Sequence, residues 1–438
     1  MTIPELYQLY LDCGCKVTTD SRAIQGGEIF FALRGENFDG NAYALQALEK
    51  GARYAVVNLD ADVPESESVI RVEDPFKTLR ELAIWHRNNV HPGRRLPVVG
   101  LTGTNGKTTT KELTSAVLSR KFKVTATKGN LNNDIGVPLS LLSITPETQI
   151  AVIEMGASHP DDIEKLVKVS QPDYGLITNV GRAHLLGFGS FEGVKAAKGA
   201  LYRYLSGRNG SVVFLNNDDA ELRSMAKEWV SSHIWPYGLK YQGIHVLPST
   251  PENPFLRLRL KDGRTIKTNL VGAYNAANVL AALAVGQYFG VNEEDAIAAI
   301  ESYVPSNNRS QMTRTESNTL IVDAYNANPS SMAAALENFA AVQAERRIAL
   351  LGDMRELGDE SVAEHEKVLL SLKEKSLQAF LVGDEFRKAL DNTGLEFEGW
   401  FPDSAELAQH LKENRIENAV VLVKGSRGIQ MEKVLENL

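Results

Sequence analysis

The sequence predicts a three-domain α/β protein in which two domains are built on parallel sheets. Apolar runs without polar alternation, such as PVVGLTG from residue 97 and QIAVIEMG from residue 149, alternate with helical stretches. Strands buried on both faces have this character, and helices between successive strands favour parallel pairing. Two segments rich in Pro, Gly, Ser and Asn divide the chain into three blocks.

The three blocks have different patterns. Residues 1–92 contain glycine turn signals and a helix-then-strand pattern in AYALQALEKGARYAVV, which predicts a small N-terminal α/β domain. The linker HPGRRLP leads into a central parallel-sheet domain at 93–308. A second breaker, VPSNNRS, precedes residues 309–438, where NTLIVDAY, RRIALLGD, LQAFLVGD and NAVVLVKG are each followed by a helical segment. This last block predicts a doubly wound, Rossmann-like domain.

Composition limits the classes of function. A chain of 438 residues, 43% apolar and 23% charged, is long enough for about three globular domains. No stretch approaches the roughly 18 uninterrupted apolar residues of a membrane span, and the N-terminus lacks a secretion signal. Only Cys13 and Cys15 are present, which indicates reduced thiols in the cytoplasm. A net charge of −8 gives no broad basic surface for nucleic acid, so any phosphate ligand is a small one.

A glycine-rich turn after the first central strand predicts a phosphate-binding loop of the P-loop type. In PVVGLTGTNGKTTTKEL, an apolar strand passes through the turn into a helix. Glycines let backbone N–H groups close around phosphate oxygens, Lys107 can reach the terminal phosphates, and the Thr108 hydroxyl suits Mg²⁺. Leu101 stands where the strict motif has its first glycine, so the strand–loop–helix context supports the assignment. The predicted nucleotide-binding residues are Gly103, Thr104, Asn105, Gly106, Lys107, Thr108 and Thr109.

Two neighbouring strands carry polar residues to the same edge of the predicted sheet. The strand QIAVI ends at Glu154, and YGLIT is followed by Asn179 and His184. Ligands of open α/β sheets collect beyond the carboxyl ends of the strands. Because Mg²⁺ is normally shared between carboxylates and substrate phosphates, Thr108 and Glu154 form a candidate metal site. A lone histidine in a loop, such as His184, is more often a hydrogen-bonding residue than a metal ligand.

Several segments together resemble the Mur ligase family. They are TGTNGKTTT, EMGASHPDDI, NVGRAHLLGFGS and VKAAKGALY. IVDAYNANPSSM (321–332) and ALLGDMRELG (349–358) are most similar to the members that add a D-alanyl-D-alanine dipeptide. The N-terminal TTDSRAIQGGEIFFALRGENFDG resembles the region that holds the UDP end of the substrate in those members. The resemblance covers essentially the whole chain, and its motifs occur in the family's order.

The resemblance implies an ATP-dependent amide ligase, and we expect the protein to act as a monomer. In this family, a substrate carboxylate takes the γ-phosphoryl group of ATP, and an amine then displaces phosphate from the acyl phosphate. The acceptor would be UDP-N-acetylmuramoyl-tripeptide, the amine D-alanyl-D-alanine, and the other products ADP and phosphate. Because phosphoryl transfer is catalysed mainly by positioning and electrostatics, Lys107 and Mg²⁺ would neutralise the repulsion between the two anions.

The resemblance also implies two Mg²⁺ sites and a modified lysine. Thr108 and Glu154 would hold the first ion, and His184 with a carbamylated Lys198 would hold the second. The CO₂ adduct turns a repelling ammonium into an anionic oxygen ligand. The alternative is that Lys198 is a solvated lysine on an amphipathic helix, like Lys195 one turn earlier. Lys107, His184 and Lys198 are therefore the expected catalytic residues.

Three further residues match family positions that contact the nucleotide. Asn275 lies in GAYNAAN, where Tyr274 replaces the usual histidine, and its amide is either a base contact or a helix cap. Arg309 and Asp323 belong to the third block; the alternatives are a solvated linker arginine and a helix-capping aspartate. Asn308 stands where the family usually has a glycine before that arginine.

Substrate contacts are assigned by position in the family motifs. The predicted contacts with the UDP-linked peptide are Asp20, Ser21, Arg22, Asn130, Asn132 and Asn133. Turn chemistry with a surface ion pair is the alternative for the first three, and an ordinary turn is the alternative for the asparagines. The predicted contacts with the dipeptide are Tyr325, Asn326, Asn328, Lys424, Ser426 and Arg427. A buried polar loop between strand and helix is their alternative.

Catalysis by such an enzyme requires the third domain to close on the second, and we expect the hinge near 306–310. Two other functions remain open from the sequence. One is a ligase of the same fold that adds a single amino acid to the UDP-peptide, or glutamate to a folate, and the motif DAYNANPSSM argues against it. The other is a nucleotide-driven switch protein, which would not need an additional metal-binding edge or a uridine-binding domain.

Overall fold

Each of the three blocks predicted from the sequence contains one main sheet of four or six strands. The computed structural model describes residues 1–36, 38–250, 253–305 and 311–438. Parallel sheets with helices packed against them confirm the predicted α/β class. Among the helices of the described ranges, none has both the length and the apolar character needed to cross a bilayer.

The N-terminal block forms a four-stranded parallel sheet in the order β1-β2-β5-β6 and a short β3–β4 hairpin. Side chains begin both of its longer helices: Thr2 makes a capping box and Asp74 accepts two backbone N–H bonds. The elements are α1 (Ile3–Asp12), β1 (Val17–Thr18), β2 (Ile29–Phe31), β3 (Arg34–Gly35), β4 (Phe38–Asp39), a 3₁₀ helix (Gly40–Tyr43), α2 (Ala44–Glu49), β5 (Tyr54–Asn58), β6 (Val69–Val72) and α3 (Pro75–Asn89).

The central block contains a six-stranded, all-parallel sheet and a small antiparallel sheet. Its larger sheet is built from β7 (Val98–Thr102), α4 (Lys107–Leu118), β8 (Val124–Ala126), α5 (Gly136–Leu142), β9 (Ile150–Glu154), α6 (Asp162–Ser170), β10 (Tyr174–Ile177), α7 (Leu185–Phe188), α8 (Phe191–Ser206), β11 (Val212–Asn216), α9 (Ala220–Trp229) and β12 (His233–Tyr237). The chain continues through α10 (Leu239–Gln242), β13 (His245–Leu247), β14 (Arg257–Arg259), β15 (Thr265–Lys267), a 3₁₀ helix (Ala273–Asn275), α11 (Ala276–Tyr288) and α12 (Glu293–Ser302). The sequence pattern did not predict the antiparallel β13-β14-β15 sheet.

The strand order β12-β11-β10-β7-β9-β8 puts β7 between β9 and β10. Every residue of β7 and β9 is buried, which explains why these strands show no polar alternation. One face of the sheet packs against α4, α11 and α12, and the other packs against α5, α6 and α8. Because the strands are parallel, the loops after β7, β9 and β10 meet at one edge.

The N-terminal and central domains share one hydrophobic core, which runs from α1 and α3 to α5 and α6. The Tyr10 hydroxyl donates to Leu142 O at 2.5 Å. The guanidinium of Arg87 is fully buried, donates to the carbonyls of Ser170 and Gln171, and meets Asp173 Oδ2 at 3.0 Å. Burial lowers the pKa of Arg87 to about 10, against the opposing effect of Asp173. A buried cation with these partners ties the two domains firmly together.

The C-terminal block forms a six-stranded sheet in the order β16-β17-β21-β18-β19-β20, in which β16 is antiparallel and the other strands are parallel. Apolar clusters cover both faces, as a Rossmann-like domain requires. The elements are β16 (Gln311–Arg314), β17 (Thr319–Asp323), α13 (Pro329–Ala340), β18 (Arg347–Gly352), a 3₁₀ helix (Gly358–Glu360), α14 (Ser361–Glu374), β19 (Gln378–Val382), α15 (Asp384–Thr393), β20 (Gly399–Phe401), α16 (Ser404–Glu413), β21 (Val420–Lys424) and two further 3₁₀ helices (Arg427–Ile429 and Met431–Asn437).

Replacing the buried arginine tests the joint between the first two domains. We expect Arg87→Ala to lower the free energy of unfolding by about 3 kcal/mol, because two carbonyls and Asp173 lose a buried cationic partner. Arg22→Ala is the control, since 86% of that side chain is exposed, and it should change stability by no more than about 0.5 kcal/mol. Urea unfolding followed by circular dichroism measures both. Equal losses in the two variants would contradict a structural role for Arg87.

Candidate functional site

A cavity of about 410 Å³ opens at the carboxyl edge of the central sheet, between the central and C-terminal domains. Residues from the loops after β7, β9 and β10 line one side, and residues after β17 and β21 line the other. The structure thus brings together polar groups that are far apart in the chain. The residues predicted from the sequence that line it are Thr104, Asn105, Gly106, Lys107, Thr109, Asn132, Glu154, His184, Asn275, Asp323, Tyr325, Asn326, Asn328 and Lys424.

The loop after β7 needs glycine at two positions. Gly103 and Gly106 have φ angles of 150° and 77°, which side-chain-bearing residues rarely adopt. A Cβ on Gly103 would lie 1.9 Å from Thr178 Oγ1, and one on Gly106 would lie 2.6 Å from Asn278 Oδ1. Gly106 leads directly into α4, whose first turn has no side-chain cap. A glycine turn that leads directly into a helix N-terminus is the geometry of a phosphate-binding loop.

The loop is held in this shape by the end of β10. Asn105 N donates to Asn179 Oδ1 at 3.0 Å, and its carbonyl accepts from Thr178 Oγ1 at 2.6 Å and from Asn179 Nδ2 at 3.0 Å. Thr104 N donates to the backbone carbonyl of Asn179 at 3.0 Å. Because these bonds satisfy the Asn105 peptide, the loop is preorganised. Thr178 was not predicted, since its role depends on two strand ends meeting.

Lys107 lies folded over the loop that precedes it. Its Nζ donates to Gly103 O at 2.8 Å and to Thr104 O at 3.0 Å. The ammonium therefore lies at the mouth of the anion site. Incoming phosphate oxygens can take the place of these carbonyls and meet a positive charge.

Thr108 and Glu154 fit a hard cation. Thr108 Oγ1 and Asn132 Nδ2 both donate to Glu154 Oε1, at 3.2 and 2.7 Å. The second carboxylate oxygen, Oε2, is buried and has no hydrogen-bond partner among the described residues. A buried carboxylate oxygen without a donor suits Mg²⁺. Within the same ranges, no three His, Cys, Asp or Glu side chains can hold a metal by themselves, so an ion here would share its ligands with phosphate.

A fully buried lysine behind Glu154 was not predicted from the sequence. Lys111 Nζ donates to Thr127 O at 2.6 Å and pairs with Glu112 Oε1 at 2.7 Å. The hydroxyl of the same threonine accepts the backbone N–H of Glu154 at 3.0 Å. Lys111 thus connects α4 through Thr127 to the backbone of the metal-site carboxylate. A TKE sequence inside a helix gives no sign of this contact.

Lys198 is buried, and His184 is partly buried. His184 has a φ of 51°, and its Nδ1 contacts a carboxylate oxygen of Glu356 in the C-terminal domain. Burial lowers the pKa of His184, and Glu356 opposes that shift. Lys198 is only 2% exposed, and its pKa lies well below the usual range because of burial and the nearby Lys107. It is therefore not the solvated lysine of the alternative; Lys195, paired with Glu221 at 2.8 Å, is 17% exposed and so is only partly solvated.

Asn275 lies at the cavity, but internal hydrogen bonds use both ends of its amide. Its Nδ2 donates to Val271 O at 2.8 Å, and its Oδ1 accepts from Asn278 Nδ2 at 2.8 Å. Asn278 Oδ1 in turn accepts from Thr110 Oγ1 of α4 at 3.0 Å. The two asparagines thus position α11 against α4. Tyr274, at 36% exposed, presents its ring to the cavity.

The ends of β17 and β21 form a charged corner on the C-terminal side of the cavity. Lys424, 1% exposed, donates to Asp323 Oδ2 at 2.6 Å and to Asn326 O at 3.2 Å. The pair is within the domain, so the Lys424 ammonium is held in a fixed place at the cavity wall. The predicted nucleotide contact Arg309 and the predicted hinge lie outside the described residues.

The loops next to this corner contact the central domain and each other. Asn328 caps α13, and its Nδ2 donates to Asn105 Oδ1 of the phosphate-binding loop at 2.9 Å. Ser426 Oγ accepts the backbone N–H of Arg355 at 2.9 Å and donates to Ala327 O at 3.3 Å. The Arg427 guanidinium lies 5.7 Å from the centre of the Tyr325 ring. Ser426 thus holds two loops together, and Asn328 joins two domains.

Seven of the predicted substrate residues lie outside the lining of this cavity: Ser426 and Arg427, described above, and Asp20, Ser21, Arg22, Asn130 and Asn133. Asp20 and Arg22 form an exposed ion pair at 2.8 Å, and hydrogen bonds from Arg22 lower the pKa of Asp20 to about 2. The carbonyl of Ser21 accepts from a lysine, Lys50, at 3.2 Å. Asn133 Oδ1 accepts at 2.8 Å from the backbone N–H of Gly136, the first residue of α5. Asn130 is exposed on the same loop.

Family models match the chain in three consecutive segments. The Mur ligase family catalytic domain matches residues 16–87, the Mur ligase middle domain 101–286, and the Mur ligase glutamate ligase domain 308–427. The fold and the cavity define a phosphate-binding-loop protein with a C-terminal domain closed over the loop. The chain belongs to the Mur ligase family.

Relatives match over almost the full length. UDP-N-acetylmuramoyl-tripeptide–D-alanyl-D-alanine ligase of Escherichia coli is 36% identical over 96% of this chain and 93% of the relative; the Bacillus subtilis enzyme of that name is 33% identical over 96% and 92%. The crystal structure of MurF from Acinetobacter baumannii superposes with a TM-score of 0.83 at 30% identity, covering 97% of this chain and 93% of that one. MurF ligase from Thermotoga maritima in complex with ADP gives 0.82 at 27% identity, covering 96% of each chain.

Lys111 offers a test of how the metal-site carboxylate is supported. We expect Lys111→Met to lower the free energy of unfolding by about 2 kcal/mol, because Thr127 O loses a buried donor. Lys121→Met is the matched control, because that lysine donates to two backbone carbonyls at the surface. This substitution should lower the free energy of unfolding by less than about 1 kcal/mol. Denaturant unfolding gives both values. A smaller effect at Lys111 than at Lys121 would contradict this account.

Proposed function

We propose that this protein is an ATP-dependent ligase that joins D-alanyl-D-alanine to UDP-N-acetylmuramoyl-tripeptide in the synthesis of peptidoglycan precursors. The observation that carries the proposal is the cavity itself, where a phosphate-binding loop, an incomplete carboxylate site and a cationic corner of the C-terminal domain face one another. The proposal also agrees with the ligases of that name that are 33% and 36% identical over nearly the whole chain.

Phosphoryl transfer between two anions requires charge neutralisation in a site without bulk water. The N–H groups at the start of α4 and the Lys107 ammonium supply positive charge where the β- and γ-phosphates of ATP would bind. The terminal carboxylate of the tripeptide attacks the γ-phosphorus and ADP leaves, which gives an acyl phosphate. The dipeptide amine then attacks the acyl carbon, and phosphate leaves after the amine loses a proton. The docked C-terminal domain excludes water from the acyl phosphate.

Two Mg²⁺ sites form part of the proposal. Thr108 and Glu154 would hold the first ion, which the orphaned Glu154 Oε2 supports, and His184 with Lys198 would hold the second. Bound Mg²⁺ supplies positive charge to the phosphate oxygens as the phosphoryl group moves. The chain's own contribution is to keep these ligands buried and in fixed positions, through Asn132 and the backbone of β9.

Carbamylation of Lys198 is supported by the state of its amine. The reaction with CO₂ needs the neutral amine, whose lone pair attacks carbon while a proton is released. Complete burial and the Lys107 charge lower the pKa of Lys198, so the neutral form is available at lower pH than for a surface lysine. The product carries a negative charge, which the neighbouring Lys107 stabilises.

We assign the remaining roles by domain. Residues 1–92 would hold the UDP end through Asp20, Ser21, Arg22 and the 130–133 loop, 93–308 would hold ATP and metal, and 309–438 would hold the dipeptide. Lys424 is fixed and cationic at the cavity wall, which suits the carboxylate of the dipeptide. A ligase for a single amino acid would need a smaller subsite at this wall. We also propose that the protein acts as a cytoplasmic monomer on these soluble substrates.

The decisive assay measures ADP release with ATP, Mg²⁺ and UDP-N-acetylmuramoyl-tripeptide, with and without D-alanyl-D-alanine. We expect turnover only when the dipeptide is present, and little with D-alanine or L-amino acids. Lys107→Ala should lower the rate by about 100-fold or more, because it removes a charge that acts on the transferring group. Turnover without an amine would favour a nucleotide-driven switch, and equal rates with single amino acids would favour another ligase of this fold.

A second variant tests the modified lysine. Lys198→Ala should lose activity, and formate or acetate should restore part of it by placing a carboxylate where the carbamate would lie. Lys195→Ala, one turn away and paired with Glu221 at the surface, is the control and should keep its activity with no response to formate. Mass spectrometry under ¹³CO₂ with chemical trapping of the carbamate gives an independent measurement. Failure of rescue together with an unmodified Lys198 would remove the carbamate from the proposal.

A further inference from the structure

We propose that Glu356 is a positioning residue for His184: docking of the C-terminal domain brings this carboxylate to Nδ1 and so makes Nε2 the metal-binding nitrogen. The inference rests on the proposed function, because it takes His184 as a metal ligand. It goes further because a residue of another domain, Glu356, would determine which nitrogen of His184 binds the metal. Among the described residues the buried Nδ1 of His184 makes no hydrogen bond, and the carboxylate oxygen in contact with it is Glu356 Oε2.

Histidine binds a metal through one ring nitrogen, and the hydrogen bond at the other nitrogen selects which one. When Nδ1–H donates to a carboxylate, the lone pair is on Nε2, and the ring is held in one orientation. In many metal sites this carboxylate belongs to the same rigid framework as the histidine. Here it comes from the segment after β18, in a different domain from His184.

The backbone shows that this contact is a specific one. His184 and Glu356 have φ angles of 51° and 65°, although neither is glycine. Such conformations persist where surrounding contacts compensate for them. The carbonyl of Glu356 also accepts the N–H of Leu186 at 3.3 Å, which places the main chain of one segment against the other. Both backbones are therefore shaped to bring these two side chains together.

A separate ion pair holds the same domain boundary without touching His184. Arg182 Nη1 meets Glu360 Oε2 at 2.8 Å, and Arg182 N donates to Ser330 Oγ at 3.0 Å. Glu360 therefore contributes to docking alone, whereas Glu356 contributes to docking and contacts the imidazole. Because Glu356 and His184 belong to different domains, separation of the domains removes the carboxylate from Nδ1. The second metal site would then be complete only in the docked form.

The experiment compares Glu356→Ala and Glu356→Gln with the matched control Glu360→Gln in the full-length chain. All of these side chains are at least half exposed, so the fold is retained, and a thermal melt checks this. The first measurement is ¹⁵N NMR of histidine-labelled protein with a non-hydrolysable ATP analogue and no divalent metal, with His184 assigned by His184→Gln. The wild type and Glu360→Gln should show a protonated Nδ1, and Glu356→Ala should shift the proton to Nε2.

The second measurement is Mn²⁺ binding, followed by electron paramagnetic resonance with the same analogue and the UDP-tripeptide. Glu356→Ala should weaken one of two Mn²⁺ sites by about 10- to 100-fold. Glu356→Gln should weaken it less, because the amide oxygen still accepts from Nδ1–H. An unchanged tautomer and unchanged Mn²⁺ affinity in Glu356→Ala would overturn the inference, and so would an equal loss in Glu360→Gln.

The two measurements separate this inference from the proposed function. If His184→Gln leaves Mn²⁺ binding intact, His184 is not a ligand, and both the second metal site and this inference fail. If His184→Gln loses one Mn²⁺ site while Glu356→Ala keeps both the site and the tautomer, the proposed function stands and Glu356 has no positioning role. Loss of the site in both variants, with Glu360→Gln unaffected, supports the inference.

Discussion

The shape of the cavity between the central and C-terminal domains depends on the hydrogen bonds that Asn105 makes. Its peptide is held by Thr178 and Asn179 at the end of β10, and its side chain accepts from Asn328 in the C-terminal domain. One residue of the phosphate-binding loop is therefore attached to the end of the neighbouring strand β10 and to a second domain. A ligand that moves this loop must also affect the position of the C-terminal domain, since the same side chain takes part in both.

The sequence predicted the fold well because burial dominates its strands. Apolar runs such as PVVGLT and QIAVI indicate strands covered on both faces, and the structure buries every residue of β7 and β9. The small β13-β14-β15 sheet was not predicted, because its strands have three residues each and carry charged side chains such as Arg257 and Lys267. Short strands of this kind are stabilised by tertiary packing, which a local sequence pattern does not reveal.

Residues of the site differ in how far they could be predicted. Gly103, Lys107 and Glu154 follow from local patterns, because strand, loop and helix are contiguous in the chain or end at a common sheet edge. Lys195 and Lys198 look alike in VKAAKGALY, and only the packing of α8 buries Lys198 and leaves Lys195 paired with Glu221. Contacts between Lys111 and Thr127, or His184 and Glu356, join separate elements, so they depend on the folded arrangement.

The shared core between the N-terminal and central domains has a mechanical consequence. The continuous apolar core and the buried Arg87 hold the N-terminal and central domains in one relative position. Relative motion of domains therefore takes place at the boundary between the central and C-terminal domains. The span between the outer surface of the first domain and the loop of the second is therefore constant. A long ligand that contacts both surfaces must therefore have a length that matches this distance.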